Sequence, residues 1–122
     1  MSREERLLIV EDNPLIAAAI EKAGERLNMR ADVATDGWEA IEKLRSEEYA
    51  AIVIDTDLPR HSGYGVITFL RQENGEDLTN VVLMTSADPA AVRHRTSEHL
   101  RVIDRTDEVD DIAAALIGTG RS

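Results

Sequence analysis

VIDTDLPRHSG, Val53 to Gly63, runs an apolar, β-branched segment into two carboxylates, Asp55 and Asp57, and then into Pro59 and Gly63. The first part reads as a strand and the last as a turn. Similar apolar runs recur along the chain: RLLIV (Arg6 to Val10), ADVAT (Ala31 to Thr35), AAIVI (Ala50 to Ile54), NVVLMT (Asn80 to Thr85) and LRVI (Leu100 to Ile103). Between them apolar residues fall at helical spacing, with Ile16, Ile20, Ala23 and Leu27 in the first helix and Val109, Ile112, Ala113 and Leu116 in the last. Asn13 before Pro14 and Asp88 before Pro89 read as caps followed by a first-turn proline. Two further helices are expected around Trp38 to Glu47 and Gly63 to Glu73. Strands alternating with helices imply an α/β fold: a five-stranded parallel sheet, doubly wound as (βα)5, flavodoxin-like, with AAIVI and NVVLM in the centre.

Composition sets the bounds. The chain has 122 residues, 43% of them hydrophobic, which suits a single domain over 1–122 with one core and a frayed tail at 118–122. Cysteine is absent, excluding disulfides and thiolate metal sites. The apolar run Leu7 to Val10 meets Glu11 and Asp12 at once, too short for a signal peptide or membrane span, so a soluble, cytoplasmic protein is expected. The formal net charge of −10 disfavours nucleic acid and anionic membranes as partners. Only Lys22 and Lys43 are lysines; every other basic residue apart from histidine is arginine.

In a doubly wound sheet, ligands collect outside the carboxyl ends of the strands, where the strand order reverses. Glu11 and Asp12 follow the first strand, Asp55 and Asp57 the third, and Thr85 and Ser86 end the fourth. Carboxylates gathered there repel one another and raise each other's pKa unless a cation neutralises them. With oxygen ligands alone the natural cation is Mg²⁺. The plainer alternative is a set of solvated strand ends and helix caps.

The order IVEDN, VIDTDLPRHSG, VVLMTSA resembles the receiver domain of two-component response regulators, over essentially the whole chain. The family pattern of an acceptor Asp with Pro four and Gly eight residues later matches Asp55, Pro59 and Gly63. Its acidic pair matches Glu11 and Asp12, and its strand-ending hydroxyl matches Thr85. The resemblance implies that Asp55 accepts a phosphoryl group from a sensor histidine kinase or phosphotransfer protein. Asp12 would then ligate Mg²⁺ directly, with Glu11 a ligand through water or a neighbour of one. Asp57 would lend its backbone carbonyl, and Thr85 would hydrogen-bond a phosphoryl oxygen. It further implies a signalling domain that assists its own phosphoryl transfer rather than an enzyme, a monomer or weak homodimer, and a switched surface near the fourth helix and fifth strand. With no effector segment after residue 122 in this sequence, output by contact with a downstream protein is expected.

The departures cluster at the fifth strand. Where the family places Lys then Pro, VIDRTDE offers Arg105 and Thr106, a planar fork in place of a compact ammonium. Arg105 either reaches the phosphoryl group in that lysine's stead, or points to solvent or pairs with Asp104 or Asp107. The switch aromatic falls on Val102, SEHL replaces the usual small residues, and the interval from Thr85 to Arg105 suggests a shortened fourth helix or loop. His61 reads as a solvated loop residue. His94 and His99, with Arg93, Arg95 and Arg101, form a basic strip suited to contacts. Trp38 and Phe69 are expected to pack. Two rivals stand beside the phosphoacceptor: a phosphorylation-independent interaction module on the same fold, and a DxD-type phosphatase, against which Asp55-Thr56-Asp57 lies on the third strand rather than the first.

Overall fold

Five strands, β1 (Glu5–Val10), β2 (Met29–Ala34), β3 (Ala51–Asp55), β4 (Val81–Thr85) and β5 (Arg101–Asp104), form one parallel sheet in the order β2-β1-β3-β4-β5 in a computed structural model. The structure describes residues 5–58, 63–74, 78–86, 90, 100–105 and 107–117. Among them are the helices α1 (Pro14–Arg26), α2 (Gly37–Ser46), α3 (Gly63–Asn74) and α4 (Val109–Ile117). The helix start expected at Asp88–Pro89, the residues Pro59, His61, Arg93, His94, Arg95, His99 and Thr106, and the tail at 118–122 lie outside the described residues.

Alternation along each strand divides the core in two. Leu8, Val10, Ile52, Ile54, Val81 and Leu83 face α2 and α3, which contribute Ala40, Val66, Ile67 and Leu70. Leu7, Ile9, Val53, Val82 and Met84 face α1 and α4, which contribute Ala17, Ile20, Ala23, Ile112 and Leu116. Every residue of β3 and β4 is buried, as a central parallel strand requires.

Helix ends follow from local chemistry. Asn13 caps α1, its Oδ1 accepting from the N–H groups of Leu15 (2.9 Å) and Ile16 (3.4 Å). Past the other end Asn28 takes φ 58°, the left-handed conformation that lets its N–H return to Glu25 and turns the chain into β2. In α2, Asp36 accepts from Glu39 N–H at 2.8 Å while Glu39 reaches back to Thr35 N–H at 2.7 Å.

Three expectations are corrected. β2 starts at Met29, not Ala31, and β5 covers Arg101–Asp104, not Leu100–Ile103. Both are edge strands, whose solvated residues dilute the apolar signal that marks a strand's start. Trp38 is not a core residue: it is 67% exposed in the first turn of α2, where Gly37 and Ala40 are buried instead. Phe69 does pack, partly buried against the α2/α3 core with the Arg45 guanidinium 5.5 Å from its ring centroid.

A polar cluster links β1, β2 and the segment before β3. Asp32 Oδ2 accepts from Arg6 Nη2 (2.7 Å) and from the Tyr49 hydroxyl (2.9 Å), while Arg6 Nη1 pairs with Glu47 at 3.2 Å. Burial and the Asp32 carboxylate together push the Tyr49 hydroxyl up to about 12. Burial acts to raise the Asp32 carboxyl, but its bonds from Arg6 and Tyr49 prevail and lower it. Tyr49→Phe should cost about 1 kcal/mol at neutral pH. Because Asp32 is depressed in the folded state, its share of stability is present above the unfolded value of about 4 and disappears as pH falls through the folded one. Urea unfolding of both proteins at neutral and acidic pH checks this: the difference between them should shrink in acid, and a difference independent of pH would contradict it.

Candidate functional site

The strand order reverses between β1 and β3, since β1 pairs with β2 on one side and β3 on the other. Val10 is in register with Ile54, so the next residues, Glu11 and Asp55, emerge side by side at the carboxyl edge. Asp55 in turn registers with Met84, and Thr85 with Asp104, which brings Thr85 and Arg105 to the same edge. Parallel pairing is therefore what converts four distant segments into one site.

Glu11, Asp55 and Thr85 are each only 1% exposed, whereas Asp12 stands in solvent. Carboxylate oxygens of Glu11, Asp12 and Asp55 lie within 4.8 Å of one another. Asp55 Oδ1 accepts the Asp57 N–H at 2.7 Å, and Glu11 Oε1 accepts the Asn13 N–H at 3.1 Å. The second oxygens, Asp55 Oδ2 and Glu11 Oε2, are buried with no hydrogen-bond partner. Burial pushes the Glu11 carboxyl up to about 8, reinforced by the adjoining Asp55 carboxylate, with Asn13 N–H and Arg105 pulling the other way.

Arg105 answers the question its sequence left open. Its Nε lies 3.4 Å from Asp55 Oδ2 and its Nη2 lies 3.5 Å from Glu11 Oε1. Its own N–H is fixed to Thr85 O at 3.1 Å, so the side chain starts at β5 and reaches across to the ends of β3 and β1. Asp107 is occupied elsewhere, accepting the Asp104 N–H at 3.0 Å. Lys22 and Lys43 lie on α1 and α2, as expected.

Asp57 has a role that sequence reading missed. Its Oδ2 accepts both the N–H (3.1 Å) and the hydroxyl (2.8 Å) of Ser86, tying the loop after β3 to the end of β4. The signal was present in the register: continuing the pairing of Asp55 with Met84 by two residues sets Asp57 opposite Ser86.

The donor set suits a hard divalent cation. Among the described residues this cluster offers oxygen ligands, and the two buried oxygens without partners are the kind of group a Mg²⁺ ion would satisfy. Glu11, Asp12 and Asp55 would hold it.

Comparison with known proteins agrees with this geometry. The response regulator receiver domain model matches residues 7–115. The transcriptional activator protein IrlR of Burkholderia pseudomallei is 33% identical over 88 residues, 72% of this chain and 37% of that protein. The response regulator protein PmrA of Pseudomonas aeruginosa is 37% identical over 89 residues, 72% of this chain and 39% of that protein. The chain thus spans well under half the length of these relatives. Among solved structures, the chemotaxis protein CheY4 of Vibrio cholerae has a TM-score of 0.82 at 16% identity, covering 96% of this chain and 99% of that one, and so shares the fold. The receiver domain of a Francisella response regulator has a TM-score of 0.78 at 22% identity, covering 93% of each chain. With its buried acid at the end of β3, its acidic pair after β1 and a family match over nearly its full length, the chain belongs to the response regulator receiver domain family.

Proposed function

We propose that this chain is a phosphoacceptor in two-component signalling, with Asp55 taking a phosphoryl group from a sensor histidine kinase or a phosphotransfer protein. The observation that carries this reading is the state of Asp55: buried, anchored through Oδ1 by the Asp57 N–H, and with Oδ2 lacking a hydrogen-bond partner. In the transfer, an Asp55 carboxylate oxygen attacks phosphorus while the bond from phosphorus to the donor nitrogen breaks. The electron pair leaves with the donor imidazole, and an acyl phosphate forms. Two anions must meet, so positioning and positive charge supply most of the rate. Bound Mg²⁺ would supply part of that charge, held by Glu11, Asp12, Asp55 and the backbone carbonyl of Asp57. Thr85 would donate its hydroxyl to a phosphoryl oxygen, and Arg105 would turn its guanidinium to the same group. The added charge would bias the surface near β5 and the segment before it towards a downstream protein. A cytoplasmic, monomeric or weakly dimeric domain that binds neither nucleic acid nor membrane fits this role; no helix among the described residues is long and apolar enough to cross a membrane.

One observation favours a phosphorylation-independent interaction module instead: Arg105 already faces both buried acids in the resting site. Incubation with acetyl phosphate, with and without Mg²⁺, followed by intact mass measurement, separates the two. A gain of one phosphoryl group that disappears when EDTA removes the metal is expected. No gain in folded protein would favour the module.

A further inference from the structure

We propose that the cavity between the carboxyl-terminal ends of α2 and α3 binds a small organic cation, an amine or guanidine carried on an apolar body. The cavity lies towards the amino end of β3, away from Asp55, and does not depend on the phosphoacceptor reading. It measures about 420 Å³, within the range of roughly 300–1,000 Å³ that small-molecule sites occupy. Buried Ile52 and Leu70 and partly buried Phe69 give it an apolar lining. Glu47, Glu48, Glu73 and Arg45, all exposed, supply its charged rim.

Charge decides the sign of the ligand. Glu47 is committed to Arg6 at 3.2 Å, which leaves Glu48 and Glu73 against the single guanidinium of Arg45. The last turns of α2 and α3, which contribute Arg45 and Glu73, add the negative ends of two helix dipoles. A metal ion is the poorer fit: among the described residues, the acids close enough to share one are Glu11, Asp12 and Asp55, not these. The Phe69 ring already carries a cation, since the Arg45 guanidinium stands 5.5 Å from its centroid. A ligand cation would take that place on the ring, with its apolar body over Ile52 and Leu70 and its charge towards Glu48 and Glu73.

Titration of the full chain with 2-phenylethylamine, followed by amide NMR, tests this, with 2-phenylethanol and 3-phenylpropanoate as probes of like body and different charge. The amine should shift the amides of Glu48, Ile52, Phe69 and Glu73 and bind about tenfold more tightly than the alcohol, and the carboxylate should not bind. Glu48→Gln with Glu73→Gln, both at exposed positions that leave the fold intact, should bring the amine down to the level of the alcohol. Arg45→Ala should tighten amine binding about threefold by freeing the Phe69 face. Equal binding of amine and alcohol, no shift at these amides up to about 10 mM amine, or shifts at Glu11, Asp12 and Asp55 in their place would overturn the proposal. Unchanged amine binding in the double glutamine variant, or weaker binding in Arg45→Ala, would also overturn it. A blocked Gly-Arg-Gly peptide that binds more tightly than the amine would give the cavity to a side chain of a partner protein and overturn the assignment to a free cation. Phosphoryl uptake is scored separately, so failure here leaves the phosphoacceptor reading untouched, and the reverse holds.

Discussion

Asp55→Asn should abolish phosphoryl uptake from acetyl phosphate, while Asp57→Asn should retain it. An amide oxygen is too weak a nucleophile to attack phosphorus, and Asp55 is the acid whose uncommitted oxygen faces the cation of the site. Asp57 is exposed and already accepts two hydrogen bonds from Ser86, so its carboxylate is engaged away from the site. Its backbone N–H, which orients Asp55, survives the substitution. Intact mass of each variant reads the result as present or absent. A phosphoryl group on Asp55→Asn would show that another side chain is the acceptor.

Asp12→Ala should remove the stabilisation that Mg²⁺ gives the fold. A ligand that binds only the native state stabilises it by roughly 2.7 kcal/mol at a hundredfold excess over its dissociation constant, which raises the melting temperature of a domain this small by about 10 °C. Asp12 is solvent-exposed, so without metal its loss should barely change stability. The expected pattern is two proteins that melt alike in EDTA and diverge as MgCl₂ is added. Equal Mg²⁺ dependence in wild type and Asp12→Ala would remove Asp12 from the ligand set.

The sheet and its acids were legible because their signals reinforce one another. Buried β3 and β4 are short apolar runs with nothing polar to interrupt them, and the acids stand immediately beyond the runs whose parallel pairing brings them together. The edge strands were less legible: β2 carries Arg30 and Asp32 within it, and its start at Met29 depends on the positive φ of Asn28, a backbone choice that no apolar pattern encodes. Trp38 misled because size suggests burial, yet in α2 it falls on the solvent side, while the small Gly37 and Ala40 are buried. The direction of Arg105 was undecidable from sequence, with Asp104 and Asp107 close along the chain and Glu11 and Asp55 close only in space. The geometry resolves it, because Asp107 turns back onto the Asp104 N–H and leaves the guanidinium to the two buried acids.

An acyl phosphate on Asp55 can be trapped chemically: borohydride reduces the activated carbonyl to an alcohol, turning the phosphorylated aspartate into homoserine, whereas an unmodified carboxylate does not react. Wild-type protein treated with acetyl phosphate and Mg²⁺, reduced, digested and sequenced by mass spectrometry should carry homoserine at position 55 and nowhere else. Homoserine at position 12 or 57, or none in protein that has gained a phosphoryl group, would contradict Asp55 as the acceptor.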